Sequence, residues 1–336
     1  MSTMTSTPMK TRNHVIDLMK FLAAILITSC HMGMLYPAKF RVLATGGAIG
    51  DALFFFCSGY LLMMGRKADF FNWYKRRINR IFPTIFAIAL TSIIVFGEDP
   101  TLKHVILEGG GWFVQAIFVF YAIYWFVKAY LSDKMWIAYL IVSVMIVVWS
   151  VLGGEKDIFL LGTHAHYMRW PCFFLIMLIG GSVYNYEQIQ GERKDRFGLW
   201  FYLGILAVLL LMYRGFQWLE GPFPILWKCQ AFILLPLIGI VLTVYKICSN
   251  AWVQRIYLNK YVHWPVYYIS ACCLEVYLCQ WWCFGIGTRL MHLFPLNVIV
   301  TFLVIFVVAY LVKVFSNFLS QTFKTEPYDW RKMIVL

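Results

Sequence analysis

Charge is what this chain has least of: 13% of its 336 residues are Asp, Glu, Lys or Arg, against 61% hydrophobic. With a mean hydropathy of +0.71, that balance excludes a soluble globular domain, whose charged share is about a quarter. Long polar stretches are missing too. No connection between apolar runs is long enough for a separate soluble domain, and no low-complexity tract or convincing internal repeat breaks the pattern. The missing repeat weighs against a transporter built from inverted halves. Nine cysteines are scattered, and most, including Cys30, Cys57, Cys172, Cys272, Cys273, Cys279 and Cys283, fall inside apolar runs, where a thiol acts as a small hydrophobe. They give no disulfide framework. Cys279 and Cys283 are one turn apart but have no partnering His or second Cys pair, so no metal site is expected. A cleaved signal peptide is not expected either, because the first apolar run is too long and contains Asp17 and Lys20.

What is present is a succession of apolar runs near twenty residues, the length that spans a bilayer. They fall roughly at 15–36, 44–64, 80–97, 112–130, 135–152, 167–184, 198–213, 224–247, 264–284 and 297–319. The expected fold class is all-α, a polytopic membrane helix bundle of about ten transmembrane helices. The expected division is an N-terminal tail over 1–14, a membrane domain over 15–319 and a C-terminal tail over 320–336.

The net charge of +13 raises the question of a nucleic-acid partner, but the placement of the cations argues against one. With the N-terminus inside, inner segments hold 19 of the 29 Lys and Arg, among them Lys10, Arg12, six from Arg66 to Arg80, Lys128, Lys134, Arg193, Lys194 and Arg196. Outer segments hold eight, among them Lys103, Lys156, Arg169 and Lys228, while Lys20 and Lys313 lie within spans. The asymmetry follows the positive-inside rule and puts both termini in the cytoplasm, with the lipid bilayer as the partner.

Ionisable groups inside spans carry functional hypotheses. In the first span Asp17 precedes Lys20 by one turn, and His31 follows after ten uncharged residues. On a helix all three share a face, with Lys20 and His31 about 16 Å apart. The bland reading is that Asp17 and Lys20 anchor the helix at the headgroups and His31 bonds a neighbouring helix. The second span opens with small residues at 46, 47 and 50, followed by Asp51 and then Ser58-Gly59, read as a hydroxyl beside a flexible point. A tightly packed helix pair with Asp51 in an interfacial hydrogen bond is as good a reading there as a catalytic one.

Arg76, Arg77 and Arg80 cluster within one turn just before Pro83, fixing topology and offering planar forks to phosphate oxygens of a cytosolic cofactor or an anionic lipid. Glu108 and Gly109 to Gly111 lead to Trp112, a cavity lip or an ordinary aromatic-belt residue. His164-x-His166 has no third ligand nearby and is not assigned a metal. Late in the chain Glu275, Tyr277 and Gln280 form a polar patch that must find partners across the bundle. Lys20 and His31 are the expected ones.

In this order the pieces resemble the acyltransferase 3 family of multi-pass membrane acyltransferases. The resemblance runs from about residue 13 to 320 and rests on Asp17, Lys20 and His31; on Asp51, Phe54, Phe55, Ser58, Gly59 and Tyr60; on Arg77, Arg80 and Pro83; on Trp112-Phe113-Val114; and on Glu275, Tyr277, Leu278 and Gln280. Two positions depart from the family pattern. Lys20 stands where many members have Arg, and Gln280 where many have His; a glutamine hydrogen-bonds but cannot act as a base.

The resemblance implies a ten-helix enzyme of the cell membrane that moves an acetyl or other short acyl group from acyl-CoA to a hydroxyl of a cell-envelope or exported polysaccharide. Acetyl-CoA would be the donor and no metal is needed. Its phosphates would dock on Arg76, Arg77 and Arg80. His31 would act as general base or as transient acyl carrier, supported by Lys20 and Asp17. Asp51, Ser58, Trp112, Glu275, Tyr277 and Gln280 would orient acceptor and imidazole. A homo-oligomer is compatible with this reading. The competing class is non-enzymatic: a transporter or flippase of a lipid-linked glycan or small molecule, which would use the arginine cluster for topology alone.

Overall fold

The computed structural model describes residues 13–98, 101, 105, 111–152, 168–191, 197–220, 223, 231–322 and 324–336. Lys10, Arg12, Lys103, Glu108, Gly109, Gly110, Lys156, His164, His166, Arg193, Lys194, Arg196 and Lys228 lie outside the described residues. Among those described there is no strand, so the molecule is the all-helical bundle that the apolar runs predict.

The helices are α1 (His14–His31), α2 (Gly47–Met64), α3 (Phe70–Phe96), α4 (Gly111–Tyr130), α5 (Met135–Leu152), α6 (Arg169–Gln190), α7 (Leu199–Glu220), α8 (Leu234–Ser249), α9 (Ala251–Tyr257), α10 (Lys260–Ala271), α11 (Cys273–Arg289), α12 (Leu296–Thr322) and α13 (Trp330–Ile334). Eight candidate spans among the described residues are long and apolar enough to cross a membrane, and α10 with α11 makes a ninth if the bent pair counts as one. The remaining expected span is α6, which has the length but carries Arg169, Asn185 and Glu187 near its ends. The perimeter is apolar, as lipid requires: Val144, Val147, Val148 and Val151 of α5 and Leu211 of α7 are all exposed.

α2 sits at the centre, and its residues Ala52 to Cys57 are buried without interruption. The reason is the small residues on its two flanks. Toward α1, a Cβ on Gly46, Gly47 or Gly50 would run into Leu26, Cys30 or Ile27. Toward α6, a Cβ on Gly59 would overlap the backbone carbonyl of Met177, and one on Gly180 that of Phe56. Glycines thus let both neighbours approach backbone to backbone. Gly59 is therefore a contact point; the flexible point expected at Ser58-Gly59 is absent, because the residue is clamped inside a regular helix.

Buried polar groups are satisfied across helices. Lys128, expected as an inner-loop charge, is buried and donates to the carbonyls of Leu62 (2.7 Å), Met63 (2.8 Å) and Gly65, capping the end of α2. Glu187 of α6 accepts from Tyr60 of α2 (2.8 Å) and Tyr245 of α8, and Tyr60 in turn accepts from Asn13 (3.2 Å), the N-cap of α1.

The ninth expected span is broken. α10 and α11 meet at 81° around Cys272, so Glu275 falls in the first turn of a new helix. Gly59→Ala or Gly180→Ala should destabilise the bundle by about 1–3 kcal/mol through overpacking. Gly204→Ala, at a position with open space beyond it, should leave the thermal unfolding of the purified protein in detergent unchanged.

Candidate active site

A cavity of about 580 Å³ runs into the bundle between α1, α2, α3, α4, α11 and α12. Asn13 and Leu336 both line it. Along α1 it reaches from Asn13 to Ile27, about 20 Å. Six of its lining side chains are ionisable at the level of full charges: Asp17, Lys20, Arg77, Arg80, Glu275 and Lys313. Four cations face two carboxylates, so the cavity favours an anion.

Arg77 and Arg80 are three residues apart on α3 and share the face toward the cavity. Arg77 stacks 4.6 Å over the Trp73 ring and 5.9 Å from that of Tyr121, and its Nε is buried with no partner. Arg76, grouped with them on sequence, is exposed and does not line the cavity, because a neighbour in sequence is rotated about 100° around the helix.

Asp17, expected as the charge partner of Lys20, accepts from Tyr257 Oη (3.5 Å) and Ser270 Oγ (3.4 Å). Asp17 and Lys20 remain within electrostatic reach of each other. The expected pairing of Glu275 with Lys20 and His31 gives way to another. Glu275 is 1% exposed, and its Oε1 takes Lys313 Nζ of α12 at 3.0 Å and Thr84 Oγ1 of α3 at 3.0 Å. Thr84 is itself bonded to Ser316 at 3.0 Å. The break before α11 aims the carboxylate at α3 and α12 instead of α1. Lys313, placed within a span on sequence but given no role there, is the partner that its position as a lone lysine in the long apolar run of α12 could have marked.

His31 lies outside the cavity, beyond its deep end. Its ring is 5.0 Å from that of Trp281 and 6.1 Å from that of Tyr277. Gln280, fully buried, lies against the imidazole and donates from Nε2 to the Tyr277 carbonyl at 2.7 Å. His31 Nδ1 and Gln280 Oε1 are both buried without a hydrogen-bond partner. Tyr277 belongs to both regions: it lines the cavity and its ring faces His31. On its other side it packs 5.6 Å from Phe113.

Asp51 is within electrostatic reach of Arg169 and of Tyr277, and Arg169 lies 5.9 Å over the Trp112 ring. Ser58 lines the cavity. The expected set therefore divides in two. Asp17, Lys20, Ser58, Arg77, Arg80 and Glu275 share the cavity; His31, Asp51, Trp112 and Gln280 gather beyond it; and Tyr277 stands between. Trp281 and Arg169 join the second group and were not singled out on sequence. No cluster of three or more His, Cys, Asp or Glu suited to a metal occurs among the described residues.

A helical membrane protein with a cationic cavity running toward a histidine packed among Gln280, Trp281 and Tyr277 defines the class. The family profile of the acyltransferase domain Acyl_transf_3 matches residues 13–316, and the chain belongs to that family of membrane acyltransferases. Comparison with curated proteins and with solved structures finds no match.

The Lys313–Glu275 pair yields a stability test. Lys313→Met leaves a buried carboxylate uncompensated and should cost about 3–5 kcal/mol. Adding Glu275→Leu should restore most of the lost thermal stability, since removing both charges also removes the desolvation penalty.

Proposed function

We propose that this protein is an O-acyltransferase of the cell membrane that moves an acetyl or other short acyl group from acyl-CoA to a hydroxyl of a cell-surface or exported polysaccharide. The observation that supports this most is a continuous cavity lined by Arg77 and Arg80 toward one end and by Tyr277, whose ring faces His31, toward the other. Such a path suits a donor with an anionic end and a reactive end. In this reading the cavity opens to the cytoplasm, the side favoured by the cation distribution and the side on which coenzyme A is held.

Arg77 and Arg80 bind donor phosphates, and Lys20 lies on the path toward His31. His31 accepts the proton of the acceptor hydroxyl. The hydroxyl oxygen forms a bond to the thioester carbonyl carbon, and the carbon–sulfur bond breaks. The leaving thiolate takes the proton back from the imidazolium, so nothing is left over. Gln280 holds the position beside the imidazole but supplies no second base, so one histidine serves both proton transfers. Asp51, Arg169 and Trp112, linked to one another and to Tyr277, would receive the acceptor.

His31→Ala should lower kcat by about 10²- to 10⁴-fold, the range for losing a general base, with acyl-CoA binding retained. Arg77→Lys with Arg80→Lys keeps the charge but loses the forks. It should raise KM for acyl-CoA on the order of tenfold or more, the scale of one lost charge-assisted hydrogen bond. Both are read by mass spectrometry of polysaccharide-bound acyl groups and by turnover of purified protein. Unchanged acylation by a well-expressed His31→Ala variant would rule out His31 as base or acyl carrier, and no acylation by the wild type would move the assignment to transport of a lipid-linked glycan.

A further inference from the structure

The carboxylate of Glu275 is used on one side only. Oε1 takes two donors, Lys313 and Thr84, while Oε2 is buried and takes none. A buried carboxylate oxygen without a donor is costly, and this one belongs to a residue that lines the cavity. Its depth is fixed by Thr84, which stands one turn past Arg80 on α3, about 6 Å further in. Deeper still the lining turns apolar and aromatic, with Ile27, Phe54, Phe113 and Tyr277. From mouth to depth the cavity thus offers guanidinium forks, then a lone acceptor, then an apolar end.

Resting on the acyl-CoA reading above, we propose that Glu275 Oε2 accepts a hydrogen bond from an amide N–H of the pantetheine arm of the donor. The order of groups fits a phosphopantetheine thioester: phosphates first, amide N–H groups along the arm, the acyl group last. A glycerophospholipid offers the anionic head but only ester oxygens and hydrocarbon below it, with no N–H donor for Glu275. Lys313 and Thr84 hold the carboxylate in place, which makes Glu275 a positioning residue that selects the donor by its arm. In Glu275→Gln the amide oxygen keeps Lys313 and Thr84, so its NH₂ turns toward the ligand and sets donor against donor.

The test uses full-length protein in detergent and three probes: coenzyme A and two analogues in which one or other pantetheine amide N–H is replaced by an ester oxygen. Wild-type protein should bind one analogue roughly ten- to a hundredfold more weakly than coenzyme A, the range for a hydrogen bond to a charged group. Glu275→Gln should bind coenzyme A more weakly and lose that discrimination, a non-additive pair of losses that a purely structural role would not produce. Equal binding of all three probes by the wild type overturns the proposal, whatever the variant does. Full discrimination retained by Glu275→Gln also overturns it. Failure of wild-type protein to bind coenzyme A at all removes the acyl-CoA reading and this proposal with it.

Discussion

Where α2 meets α6 the two backbones touch, Gly59 lying on the Met177 carbonyl and Gly180 on that of Phe56. On the opposite flank Gly46, Gly47 and Gly50 admit the side chains of α1 just as closely. Lipid supplies no hydrophobic force to pull helices together, so close van der Waals packing must do it. The rest of the bundle depends on this contact. It fixes the face that α1 turns toward the cavity, and with it the positions of Asp17 and Lys20. It also sets the depth of Asp51 and Ser58.

Around that rigid centre, polar groups are placed where lipid cannot reach them. The end of α2 is held by Lys128, and Glu187 ties α2 and α8 to α6. These networks are satisfied and structural. The groups of the candidate site differ from them in being incomplete: Arg77 Nε, Glu275 Oε2, His31 Nδ1 and Gln280 Oε1 are all buried without a partner. Thr28 Oγ1 and Asn297 Oδ1 are unpartnered too, so it is the grouping of such gaps around the cavity and His31, more than any one gap, that suits a surface shaped for something that binds.

The division of the site into a cationic cavity and a histidine pocket separates two chemical demands. In the reaction proposed above, a polyanionic donor would need a positive path, whereas proton transfer at His31 would benefit from the surround of Trp281, Tyr277 and Gln280. Tyr277 keeps the two environments apart while touching both. The bend at Cys272 makes this arrangement by starting α11 afresh, with Glu275 directed into the cavity and Gln280 and Trp281 one to two turns later against His31.

The sequence by itself determined the solvent, the helical class, most of the spans and the family, because hydrophobic length and the order of motifs are local properties of the chain. It also determined that Arg77 and Arg80 share a helix face and that Asp17, Lys20 and His31 lie along one stripe, since 3.6 residues per turn settles both. Only the tertiary structure decided which charge meets which. Glu275 paired with Lys313, not with Lys20 or His31, because an 81° break turned its helix toward α3 and α12. Arg76 was left outside the cavity, Gly59 became a packing contact and Lys128 became a helix cap. Pairing across a bundle depends on helix rotation and on which backbones approach, and both are set by packing between segments as much as 262 residues apart in the chain, as with Leu35 and Asn297.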